Sequence, residues 1–118
     1  MFITQKFKGV ITPKYAITVH FHKGFILLSI ALLELLDVKI GDRVLFYVSN
    51  GKAWICKHED GFIIRAGNGA KKNSAINNKF TTEQLKLIAN PIINTVNYKI
   101  NPEPTKLQGG IMGYMVEL

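Results

Sequence analysis

The sequence predicts a mainly β protein with two short helices, and three observations carry that reading. Apolar and polar residues alternate with a period of two over several short runs, the spacing of half-buried strands. Turn dipeptides punctuate those runs: Lys23-Gly24, Gly41-Asp42 and Asn50-Gly51. Only two stretches carry helical spacing with start and stop signals, "IALLELL" and "TTEQLKLIAN".

Residues 2–8 read as a leading strand, ended by Gly9 and Pro13. In "YAITVHFH", Tyr15, Ile17, Val19 and Phe21 alternate with Ala16, Thr18, His20 and His22. Lys23-Gly24 turns the chain, and "FILL" returns as a short buried strand. Ser29 is placed to cap "IALLELL", because its hydroxyl can accept a bond from an early helical N–H. That helix carries Glu34 as its only charge and ends at Asp37, so it needs burial on nearly every side. "RVLFYVS" and "KAWICKH" form a hairpin across Asn50-Gly51, a type I′ turn signal.

Residues 15–58 thus read strand–strand–helix–strand–strand. The same order follows in the remainder. "FIIR" and "AINN" pair, and "TTEQLKLIAN" opens with a capping-box spacing from Thr81 to Gln84 and stops before Pro91. "TVNYKI" is a strand, "NPEP" breaks the chain, and "IMGYMVEL" is a last strand. Two ββαββ units sharing a core, residues 1–58 and 59–118, are therefore expected. A shift of 52 residues sets Ser29 on Thr81, Leu36 on Ile88, Val44 on Val96 and Phe46 on Tyr98. That matching reads as a degenerate repeat.

Composition bounds the function. With 118 residues, 47% hydrophobic, the chain can bury a core. Lys and Arg number 15 against 8 acids, a formal net charge of +7, and all but Arg43 and Arg65 are Lys. Such a balance fits a polyanionic partner, and equally fits Lys used to keep an apolar protein soluble. The single cysteine, Cys56, forms no disulfide within the chain, which suits a reducing cytoplasm. "FILLSIALLELL" is too short and too charged for a membrane span, and no cleavage site follows it as in a signal peptide.

"KGFILLSIALLELLDVKIGDRVLFYVSNGKAWICK" resembles the swapped-hairpin AbrB/MazE-like family. Gly24 stands where that family has its Gly, Ile40-Gly41-Asp42 match its turn, Val44, Phe46 and Val48 match its inward strand positions, and Asn50-Gly51 its hairpin. The resemblance covers about a third of the chain. It implies a small barrel of interleaved hairpins and a DNA-binding regulator or antitoxin, working as a homodimer or as a pseudo-dimeric monomer, with a toxin as a possible protein partner. The whole chain is also similar to uncharacterised two-part bacterial or phage proteins that pair such a unit with a Pro-containing hairpin. Four residues stand out as departures from the pattern. Phe25 and Leu33-Glu34 replace basic residues that the family sets on DNA, and Ser29 replaces its Pro.

The candidate duplex-DNA contacts are Lys14, His20, His22 and Lys23 in the acid-free first thirty residues, with Lys71 and Lys72 on a second loop. Ammonium groups neutralise phosphates without the base-reading fork of Arg. His20 and His22, two apart on one strand face, have zinc-ligand spacing, but nothing brings Cys56 or His58 to them, so no metal is expected. There is no His-Glu-x-x-His, nucleophile elbow or P-loop, so neither an enzyme nor a cofactor is expected. The alternative is a non-enzymatic oligomeric protein-interaction module, for instance from a mobile element.

Overall fold

A computed structural model describes residues 13–66 and 74–118. The expected leading strand, residues 2–8, lies outside the described residues. The protein is mainly β with two helices. Strands β1 (Ala16–His20) and β2 (Phe25–Leu28) lead into α1 (Ile30–Leu36). The hairpin β3 (Arg43–Ser49) and β4 (Lys52–Lys57) follows. Two short strands come next, β5 (Phe62–Ile63) and β6 (Arg65–Ala66), then β7 (Ser74–Asn77). The chain ends with α2 (Lys79–Ala89), β8 (Thr95–Lys106) and β9 (Met112–Glu117).

These strands make one nine-stranded sheet in the order β5-β3-β4-β9-β8-β1-β2-β7-β6. Its two outermost strands, β5 and β6, are separated along the chain by Ile64 alone, so the sheet curls into a nearly closed barrel. Ile64 fastens the seam. Its N–H donates to the Asp42 carbonyl at 2.8 Å, its own carbonyl accepts from the Gly41 N–H at 2.9 Å, and its side chain is buried. Asp42 Oδ2 in turn accepts from the Lys39 N–H at 3.0 Å. The Gly41-Asp42 turn is therefore where the barrel closes.

Inward positions from every long strand fill one core. Ile17, Val19, Ile26, Val44, Ile55, Ile76, Ile100 and Val116 belong to a single buried cluster. Leu32 of α1 and Leu85 of α2 join it. Burying such side chains is worth roughly 1.5–3 kcal/mol each, and alternation along each strand sends them to one side of the sheet.

The helices are capped alike. Ser29 accepts from the Leu32 N–H and Asn78 from the Thr81 N–H. Asp37 and Asn90 close the two C-termini in left-handed conformations. The α2 cap differs from the expectation at Thr81: the helix starts earlier, at Lys79, and Thr81 is a buried first-turn residue. A carboxamide at Asn78 reaches the same N–H that a hydroxyl would, so either spacing satisfies a cap. α1 is less buried than its composition requires, since Leu32 and Leu36 are inside while Ile30 is 78% exposed.

The four residues of "NPEP" do not break the sheet. β8 runs through them to Lys106, and the register slips between Ile100 and Pro104, a bulge that takes up Pro102, while Pro104 is back in register opposite Tyr114. Beyond it, a 3-10 turn at Gln108–Gly110 folds back so that Leu107 lies against Gly113 and Trp54. Leu107 and Ile111 cover the outward face of β3 and β4, which explains why Cys56, an outward strand position, is buried. Its Sγ lies 3.4 Å from the Leu45 carbonyl oxygen, and burial pushes its thiol pKa up. Neither described helix is long and apolar enough to cross a membrane.

Candidate nucleic-acid interface

The turn between β1 and β2 stands at one end of the barrel. Gly24 is buried there with φ +77°, and its carbonyl accepts from the Asn78 N–H at 3.1 Å. A Cβ on Gly24 would sit 3.0 Å from the Lys79 Cβ, so the turn and the start of α2 meet only through a glycine. On the other side of the turn the Phe21 N–H donates to the Asn94 carbonyl at 2.8 Å. This end therefore gathers the turn, the first residue of α2 and the loop 91–94.

His22 and Lys23 are exposed on this turn. His20 is half-buried and differently employed. Its ring stacks on Phe25, with centroids 4.1 Å apart and planes 19° from parallel. Its Nδ1 lies 3.2 Å from Thr95 Oγ1 across the β1–β8 pair. Burial lowers its pKa, and the Lys23 charge lowers it further, so the ring is neutral near pH 7. The two histidines do not share a strand face, because β1 ends at His20 and His22 belongs to the turn. Phe25, where the related pattern has a basic residue, is occupied in this stack.

Lys14 is exposed at the opposite end of β1. The five-residue strand β1, about 15 Å long, lies between it and the turn. Its Nζ lies 5.4 Å from the centre of the neighbouring Tyr15 ring. Ser29 fixes its backbone, donating from Oγ to the Lys14 carbonyl at 3.1 Å. The same Oγ accepts from the Ala16 N–H at 3.1 Å, while the Ser29 N–H donates to the Ala16 carbonyl at 3.1 Å. A proline could not make that last bond, so serine at this position ties α1 to β1. The structure thus brings together His20, His22 and Lys23 but sets Lys14 apart. Lys71 and Lys72 lie outside the described residues.

Lys79, beside Gly24, is the member of this end that sequence reasoning missed. No spacing rule links residue 79 to residue 24; only the β2–β7 pairing, with Phe25 opposite Asn77, brings them together. On α1, Leu33 packs partly on the core and Glu34 is exposed, so neither offers a cation.

Away from this end, a cavity of about 280 Å³ lies between β3 and α2, lined chiefly by Phe46, Val48, Phe62, Phe80 and Leu85. Its polar lining is Thr81 and Gln84, with no acid, base or thiol. Among the described residues no three His, Cys, Asp or Glu side chains group as metal ligands. His58 Nδ1 accepts from the Asp60 N–H at 3.0 Å and so stabilises a turn. No protein-family model, no curated protein and no solved structure matches this sequence.

Proposed function

We propose that the chain is a non-enzymatic duplex-DNA-binding protein of the AbrB/MazE-like kind, a transcription regulator or an antitoxin, in which two halves of one chain stand for two protomers. The observation that carries this reading is the strand order. Treat β5 and β6 as one interrupted strand and exchange the halves, β1 for β5/β6, β2 for β7, β3 for β8 and β4 for β9; the order around the sheet is unchanged. Two contacts map onto themselves. β2 pairs with β7 antiparallel with Ile26 opposite Ile76, and β4 pairs with β9 with Trp54 opposite Met115. Interleaving of this type is what a swapped-hairpin dimer would become on fusion. It also supports a monomer, because the second half already fills a partner's place.

The DNA part rests on charge. His22, Lys23 and Lys79 converge at one end of a chain of net charge +7. Phosphate neutralisation there would be salt-sensitive and weakly sequence-selective. Fluorescence anisotropy with labelled duplex across a salt series tests it. Log affinity should fall linearly with log salt, and the slope should shrink by about one for each of Lys23→Ala and Lys79→Ala. Absence of binding at low salt rejects DNA as the partner. A dimeric mass in solution rejects the fused pseudo-dimer.

A second reading is favoured by one observation. α2 exposes Phe80 at 71% and Leu87 at 77% on one side, seven residues apart. A protein partner such as a toxin would cover that stripe. Co-purification with such a partner, lost on Phe80→Ser, would favour it.

A further inference from the structure

We propose that Ile92 and Ile93 form an apolar wedge that enters the base stack of the duplex held by the β1–β2 turn; this rests on the DNA reading above. Ile92 is 99% exposed and Ile93 65% exposed, on the loop between α2 and β8. Both belong to a loop whose ends are anchored. Asn90 closes α2 at one side, and the Asn94 carbonyl accepts from the Phe21 N–H at the other. Pro91 fixes its own φ, and β-branched isoleucines hold few rotamers, so the tip is stiff.

The β1–β8 ladder places His20 opposite Thr95, and the next step places Phe21 opposite Asn94. Ile93 and Ile92 therefore sit one and two residues beyond that pair, at the same end of the barrel as His22 and Lys23. Lys79 abuts the same turn. Two large exposed apolar side chains share this end with Lys23 and Lys79, with Glu83 one helical turn along α2.

The cations decide the occupant. A second copy docked here would set Lys23 and Lys79 of one chain against those of the other, and like charges would oppose the contact. Duplex DNA meets both demands. Its phosphates pair with Lys23, Lys79 and His22, and its base steps receive isoleucine and proline wedges, which unstack and kink the helix. Flexible pyrimidine–purine steps should be favoured, because they unstack most cheaply.

The test uses the full chain, a short duplex carrying a central TA step and an energy-transfer pair on its ends, and a 2-aminopurine at that step. The wild type should shorten the end-to-end distance and raise 2-aminopurine emission on binding. Ile92→Ser with Ile93→Ser should bind with the same salt slope yet leave the duplex straight and stacked. Wild-type binding without bending or unstacking overturns the wedge and spares the DNA reading. No binding at low salt overturns both. A wild-type dimer that the double variant converts to monomer assigns these side chains to self-association and also overturns the wedge.

Discussion

The two helices begin and end by the same devices but differ in length, and the difference limits how far one half can be laid on the other. The N-caps Ser29 and Asn78 are 49 positions apart, and the C-caps Asp37 and Asn90 are 53 apart. α1 has 7 residues and α2 has 11, one further helical turn. No single offset can align the halves, so the uniform shift of 52 aligns neither helix start. α1 is tied down by a serine with several bonds; α2 is longer, more polar, and leaves Phe80 and Leu87 exposed. Both halves leave apolar side chains outside, Ile30 at 78% on α1 against Phe80 and Leu87 on α2, but only α2 sets two of them on one side.

The sharpest way to break this comparison is in the core. Leu32 and Leu85 are the fully buried anchors of their helices. If the halves share one cooperative core, Leu32→Ala and Leu85→Ala should each cost about 2–5 kcal/mol. Each variant should still unfold in one transition. Denaturant melts by fluorescence and circular dichroism check this. Two separated transitions would show halves that fold independently.

The caps come next. Asn78→Ala removes a helix cap and should cost about 1 kcal/mol. Ser29→Ala also strips an acceptor from the Ala16 N–H and a donor from the Lys14 carbonyl, so it should cost about 2 kcal/mol. Equal losses at the two sites would mean that Ser29 acts as an ordinary cap and that its strand contacts add nothing.

The C-caps should move the other way. Asp37 has φ 55° and Asn90 φ 48°, a region glycine enters without steric cost. Asp37→Gly and Asn90→Gly should each stabilise by about 0.5 kcal/mol, Asp37→Gly by more, because it also removes an anion from the negative end of a helix. A larger gain at Asn90 would point to strain specific to α2.

Most elements of the first half were legible in the sequence, because its signals are local. "FILL", "IALLELL" and "RVLFYVS" fall on β2, α1 and β3 residue for residue, and Ser29 caps as its hydroxyl predicts. The second half reads less well because its elements depend on distant partners. "FIIR" splits at Ile64, since that residue closes the barrel against Gly41 and Asp42, which periodicity cannot show. β8 continues through two prolines: a bulge over residues 101–103 takes Pro102 out of the ladder, and Pro104 rejoins it opposite Tyr114. The candidate site follows the same rule. His22 and Lys23 were visible as a basic turn, but Lys79 and the Ile92-Ile93 loop join them only through β2–β7 and β1–β8 pairing.

The smallest expected effect concerns His20, the last residue of β1 before that turn. His20 sits against Phe25 and near Lys23, and both burial and that charge depress its pKa below the usual imidazole value. In the unfolded chain it titrates near 6.5. Between those values the unfolded state binds more protons, so stability gained from a neutral His20 is present above about pH 6.5. It is lost as pH falls through the lower folded value. Protonation also breaks the stack's advantage by placing a cation beside Lys23. The loss is small, because the ring is partly exposed and solvent screens the charge. His20→Gln should flatten the acid limb of the stability profile. Denaturation midpoints between pH 5 and 8 measure this. An acid limb insensitive to His20→Gln would assign it to other groups and remove His20 as the pH-sensitive member of this end.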